Sequence, residues 1–149
     1  MAVKVFFEND SLIDLLDRIE TKVPQAIPVA VEKMAATLQK KLINAAPYDD
    51  KTHQPGTKHL KEVIKTTKVR HKNGECYTTI YVSPRGLNGE KVKNYWDKDK
   101  YIFKLVVSEY GSSKQEKKPW WKPTIKTSED ELAEIAEEII KGAIENAQK

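Results

Sequence analysis

Cysteine is almost missing from this chain: Cys76 is the one thiol, so no disulfide can form within it. It sits in a strand-like run and is read as a small buried hydrophobe rather than a nucleophile. Long apolar runs are missing too. None approaches the roughly 20 residues that cross a bilayer, so no membrane partner is expected. The first residues, M-A-V-K-V-F-F-E-N-D, have neither the long apolar region nor the small-residue cleavage site of a secretory signal. The expectation is synthesis in the cytoplasm of the producing cell. Catalytic and cofactor motifs are also absent: there is no G-x-S-x-G, P-loop, G-x-G-x-x-G or H-E-x-x-H. No enzyme, cofactor or catalytic residue is expected. His53 and His59 lie near Asp49 and Asp50, but the spacing matches no compact ligand set, and no metal is expected.

The excess of one charge sign is slight, with 26 Lys and Arg against 22 Asp and Glu, a net +4. That is low for a dedicated nucleic-acid binder, although the lysines and Tyr95, Trp96, Trp120 and Trp121 keep a cationic, stacking surface open as the alternative function. The placement of charge is more informative. Lys58, Lys61, Lys65, Lys68, Arg70 and Lys72 form one basic group; Lys114, Lys117, Lys118, Lys122 and Lys126 form another. The C-terminal part carries Glu129, Asp130, Glu131, Glu134, Glu137 and Glu138. Such separation suits head-to-tail contact between identical subunits. A plain solvated surface is the alternative for any one run.

With 149 residues, 39% hydrophobic and 32% charged, the chain fits a single domain with a modest core. Val3, Val5 and Phe7 alternate with Lys4, Phe6 and Glu8 and predict a short first strand. Leu12, Leu15, Leu16 and Ile19 predict a helix over 11–21. Val31, Met34, Ala35, Leu38, Leu42 and Ala45 form one stripe of a long helix, about 25–45, which Pro47 stops. A loop over about 46–58 follows. A strand is predicted near 64–72, then a hairpin at Asn73-Gly74. The return strand, 76–83, puts Cys76, Thr78, Ile80 and Val82 on one face and Tyr77, Thr79 and Tyr81 on the other. Residues 84–100 read as a long loop, and 101–110 fit either helix or strand. Ser128 with Glu131 reads as a capping box opening a C-terminal helix over 128–147, whose acidic first turn complements the helix dipole. The fold class is α+β: a small, mostly antiparallel sheet packed against the long helix and the C-terminal helix.

The stretch Glu109 to Pro123, E-Y-G-S-S-K-Q-E-K-K-P-W-W-K-P, stands out. Gly111 ends the apolar run before it. Pro119 and Pro123 are expected to hold the chain extended around the Trp pair. Adjacent side chains of an extended segment point to opposite sides, so one Trp is expected inside and the other outside.

An apolar run ending in Glu109-Tyr110-Gly111, a polar loop, then Pro119-Trp120-Trp121-Lys122-Pro123 leading into a last helix resembles the tail-component family of long-tailed phages. A second stretch of the same family's pattern is Ala46-Pro47-Tyr48-Asp49, then Gly56, Leu60 and Ile64. Together the two span roughly residues 24 to 145. This chain departs from the pattern by inserting Lys51 to Pro55, by its long loop at 84–100, and by Thr124 where a small apolar residue is usual.

The resemblance implies a helix at 101–110 and a small α+β neck subunit. Its copies would form a ring, hexameric by the symmetry of the tail tube, that completes the tail and joins it to the head connector in the virion. Implied partners are further copies, connector or stopper proteins and tail-tube or tail-terminator proteins, with DNA passing through the ring. Expected contact residues are Glu109, Tyr110, Gly111, Pro119, Trp120 and Pro123, together with Arg85, Lys91, Lys93, Tyr95 and Trp96 in the long loop. Gly56 and Leu60 are expected to shape the subunit.

Overall fold

A computed structural model describes residues 1–6, 24–47, 57–87, 89–91, 94, 97 and 100–147. The predicted helix at 11–21, the cluster of Asp49, Asp50 and His53, and Gly56 lie outside the described residues, as do Lys93, Tyr95 and Trp96. The described elements are β1 (Ala2–Phe6), α1 (Ala26–Ala45), a 3-10 turn (Leu60–Val63), β2 (Ile64–Thr66), β3 (Arg70–Lys72), β4 (Glu75–Val82), α2 (Tyr101–Tyr110) and α3 (Trp121–Ala147). They make a small antiparallel sheet and three helices, an α+β fold. The strand order is β1-β4-β2, with β3 also paired to β4.

The chain forms two compact units. One comprises Met1–Val3, Gln39–Lys65 and Tyr81–Thr127; the other comprises Lys4–Leu38, Thr66–Ile80 and Ser128–Lys149.

In the second unit, Val31, Met34, Ala35 and Leu38 of α1 are buried, and so are Leu132, Ala136 and Ile140 of α3. Both sets follow the three-to-four spacing of one helix face. In β4, Cys76, Thr78 and Ile80 are buried while Tyr77 and Thr79 are half-buried, the alternation expected of a strand with one core face. The hairpin is as predicted: Asn73 and Gly74 take φ of 53° and 78°, and Lys72 pairs with Glu75. Two positive φ values in a two-residue loop match the right-handed twist of the strands it joins.

The strand predicted over 64–72 is interrupted at 67–69. There Thr67 Oγ1 accepts the Thr79 N–H at 3.0 Å, and Thr78 Oγ1 donates to Thr67 O at 2.6 Å. Side-chain hydroxyls replace backbone partners in the ladder, which is how Thr competes with regular pairing.

In the first unit, Leu42, Ala46, Leu60, Val63, Tyr101, Leu105, Trp120 and Trp121 are buried. The stripe of α1 ends on Ala46, not Ala45, because Ala46 continues the helical bonding by donating to Leu42 O at 2.9 Å. Gln39 of α1 donates from Nε2 to Ile64 O at 3.1 Å. The 3-10 turn packs against α2, and Lys58 N–H donates to Tyr101 Oη at 3.0 Å.

The C-terminal helix begins at Trp121, seven residues before the predicted start at Ser128. Ser128 is therefore a buried interior position and not an N-cap. The acidic residues from Glu129 onward lie within the helix, away from its positive end.

Candidate functional site

The junction between α2 and α3 is built around one carboxylate. A helix leaves its first N–H groups without intrahelical partners, and when buried each needs an acceptor. At the start of α3, Trp120 O accepts the Thr124 N–H at 3.2 Å, which makes Trp120 the capping residue. Glu109 supplies the missing acceptors. Its Oε1 accepts from Trp120 N–H at 2.6 Å and Trp121 N–H at 2.5 Å, and its Oε2 from Lys122 N–H at 3.4 Å. The next residue, Pro123, has no N–H to satisfy, which is why proline is tolerated there. Every donor of the first turn is thus matched. The negative charge also lies at the positive end of the helix dipole.

The other end of the junction is equally specified. Gly111 has φ 78° and ψ 178°, a region essentially open to glycine alone, and its N–H donates to Val107 O at 2.8 Å. A Cβ there would lie 3.1 Å from Lys117 N and 3.2 Å from Gln115 O. Lys118 N–H returns to Ser108 O at 2.8 Å. Ser108 Oγ donates to Leu105 O at 2.8 Å and accepts the Trp120 indole N–H at 2.9 Å.

Both tryptophans are buried, contrary to the expectation that only one turns inward. The chain is not extended through the pair: Trp121 already belongs to α3. Their rings meet edge to face, 5.6 Å between centroids and 86° between planes.

This junction holds residues 112–119 as a wholly exposed loop carrying Lys114, Lys117 and Lys118. Of the predicted contact residues, Tyr110, Pro119 and Pro123 lie at the surface beside it. Glu109 and Trp120 are internal groups of the junction, and Gly111 is its hinge into the loop. Lys122 Nζ sits 4.7 Å from the Tyr110 ring centroid, and its hydrogen bond to Tyr110 raises the ammonium pKa above the usual lysine value. Ser108 is a further part of this device that the sequence pattern does not single out, and Lys118 and Thr124, whose Oγ1 donates to Trp120 O at 2.6 Å, belong to it in ways that charge grouping and the family pattern do not indicate.

A second feature of the same unit lies around Tyr101. Its hydroxyl, besides accepting from Lys58, donates to Leu87 O at 3.4 Å. The segment 85–91, predicted to lack regular structure, is pinned back by Gly86 N–H to Glu90 O at 2.8 Å and Arg85 Nη1 to Gly89 O at 3.1 Å. Arg85 and Lys91 form a single antiparallel bridge, and both are exposed. These contacts frame a cavity of about 230 Å³ lined by Lys58, Lys65, Arg85, Ser83 and Tyr101 among others, with no carboxylate among the described residues of its lining.

No protein-family model, curated protein or solved structure matches this chain. Among the described residues, no helix is long and apolar enough to cross a membrane, and no group of three His, Cys, Asp or Glu could hold a metal ion.

Proposed function

We propose that this chain is a non-enzymatic structural subunit in the neck of a long-tailed phage or a phage-derived element. In this reading its copies form a ring, hexameric to match the tail tube, that completes the tail and joins it to the head connector. One observation carries the reading. The residues that resemble the tail-component family, Glu109 to Gly111 and Pro119 to Pro123, are parts of a single device that anchors a fully exposed, lysine-bearing loop at both ends. A loop held this firmly at its base yet buried nowhere along its length is suited to contact other proteins. Connector or stopper proteins and tail-tube or tail-terminator proteins are its partners in the neck, and DNA passes through the ring.

The deciding experiment is to delete the coding sequence and image the particles by electron microscopy. The expected result is full heads and finished tails accumulating apart, restored to whole virions by the wild-type chain. Intact, infectious virions in its absence overturn the proposal.

A further inference from the structure

We infer that the cavity beside Tyr101 is an anion pocket, filled in the assembly by carboxylates from α3 of a second copy. The inference rests on the proposed ring and names its contact. Lys58, Lys65 and Arg85 converge on about 230 Å³ with no carboxylate among the described residues of the lining. Only one guanidinium nitrogen of Arg85 is bonded, to Gly89 O, which leaves the remaining donors of its planar fork available. Cations gathered around one space repel each other, and an anion placed among them relieves that repulsion. The volume admits a carboxylate side chain.

The occupant is chosen by charge. Asp130, Glu134 and Glu138 succeed one another at intervals of four residues on α3, and all are exposed. That spacing makes them neighbours on one helix face, where like charges oppose the helix. Lys141 compensates Glu137 at 2.9 Å, one turn further along, but no cation of the described chain pairs with this row. A row of unmatched carboxylates and a pocket of unmatched cations on one polypeptide fit each other between copies. Because the two patches differ, the contact is heterologous and propagates from copy to copy, as a ring requires.

Sedimentation velocity on the full chain, at about 0.05 M and 0.15 M salt, tests this. Two charge-reversed variants are needed: Lys65→Glu with Arg85→Glu, and Asp130→Lys with Glu134→Lys and Glu138→Lys. All these side chains are exposed, and circular dichroism checks that each variant folds. The wild type is expected to self-associate, and each variant alone to associate at least about tenfold more weakly, a change of roughly 1.4 kcal/mol. An equimolar mixture of the two variants is expected to regain association, because each reversed patch then meets its opposite. Wild-type association untouched by either reversal overturns the pocket while leaving the ring standing. A chain that stays monomeric up to about 1 mM, far weaker than a specific interface, also overturns the pocket, and the particle images then decide the neck role. If the Lys65 and Arg85 reversal abolishes binding to single-stranded DNA at about 0.15 M salt yet spares self-association, the pocket belongs to phosphate and the inference fails.

Discussion

Glu109, in the last turn of α2, accepts the backbone N–H of Trp121, the first residue of α3, at 2.5 Å. Twelve residues of sequence separate them, and the carboxylate does for α3 what an Asp or Ser beside a helix start does in most proteins. A capping group so far away fixes the ends of two helices to each other and so sets where the intervening loop leaves and returns.

Removing that carboxylate leaves two or three buried N–H groups without acceptors. Glu109→Ala is expected to cost about 2–4 kcal/mol, combining the loss of charge-assisted bonds with the desolvation of their donors. Glu109→Gln keeps one carbonyl acceptor and is expected to cost less, on the order of 1–2 kcal/mol. Urea unfolding followed by tryptophan fluorescence measures both. Equal losses for the two variants would mean that the side chain acts through packing and not as an acceptor.

Ser108 and Trp120 make a second, separable bond, indole N–H to hydroxyl at 2.9 Å in a buried setting. Ser108→Ala strands the indole donor and should cost about 1–3 kcal/mol. In a Trp120→Phe background there is no donor to strand, so the same substitution should cost markedly less. The double-mutant cycle, read from urea midpoints, should therefore show a coupling of about 1 kcal/mol. Additive losses would remove this bond from the account.

Much of the fold is legible in the sequence where one local rule governs. The buried positions of α1 and β4 follow the periods of a helix and a strand, and Asn73-Gly74 announces its turn. Legibility fails where a distant residue takes over a local job. Ser128 and Glu131 look like a helix start because the true cap, Glu109, belongs to another helix. Trp120 and Trp121 look like opposite sides of an extended strand until the helix is known to begin between them. The break at 67–69 depends on the hydroxyl of Thr78 and the N–H of Thr79, groups of β4 that only strand pairing brings to Thr67. For the candidate site, the stretch 109–123 is conspicuous in sequence. That Glu109 and Trp120 are its internal framework, and Lys114 to Pro119 its outer edge, is visible only in three dimensions.

Cys76 links burial to pH. Desolvation pushes its thiol pKa up, so the folded chain keeps a proton that the unfolded chain releases. Stability from this group is full below about pH 8.5, where the unfolded thiol titrates, and is lost as pH rises through the higher folded value. Comparing wild type with Cys76→Ala at pH 7 and pH 10 isolates the effect, since other titrating groups are common to both. The margin of the wild type over the variant should shrink at the higher pH. A constant margin would mean that the thiol titrates alike in both states.

Two glycines predict opposite outcomes for one substitution. Gly111 holds a backbone conformation that side-chain-bearing residues avoid, and an added Cβ meets backbone atoms of Lys117 and Gln115 that cannot swing away. Gly111→Ala should destabilise by about 1–3 kcal/mol, the range for a strained backbone position. Gly142 lies inside α3 at an ordinary helical position, with nothing within 4 Å of an added Cβ. Gly142→Ala should stabilise by about 0.5–1 kcal/mol, through the lower backbone entropy of the unfolded chain. Thermal and urea midpoints of the two variants, measured side by side, should move in opposite directions. If Gly111→Ala matched the wild type, the loop 112–119 would have to be able to leave α2 by another path, and the case for a firmly held contact loop would go with it.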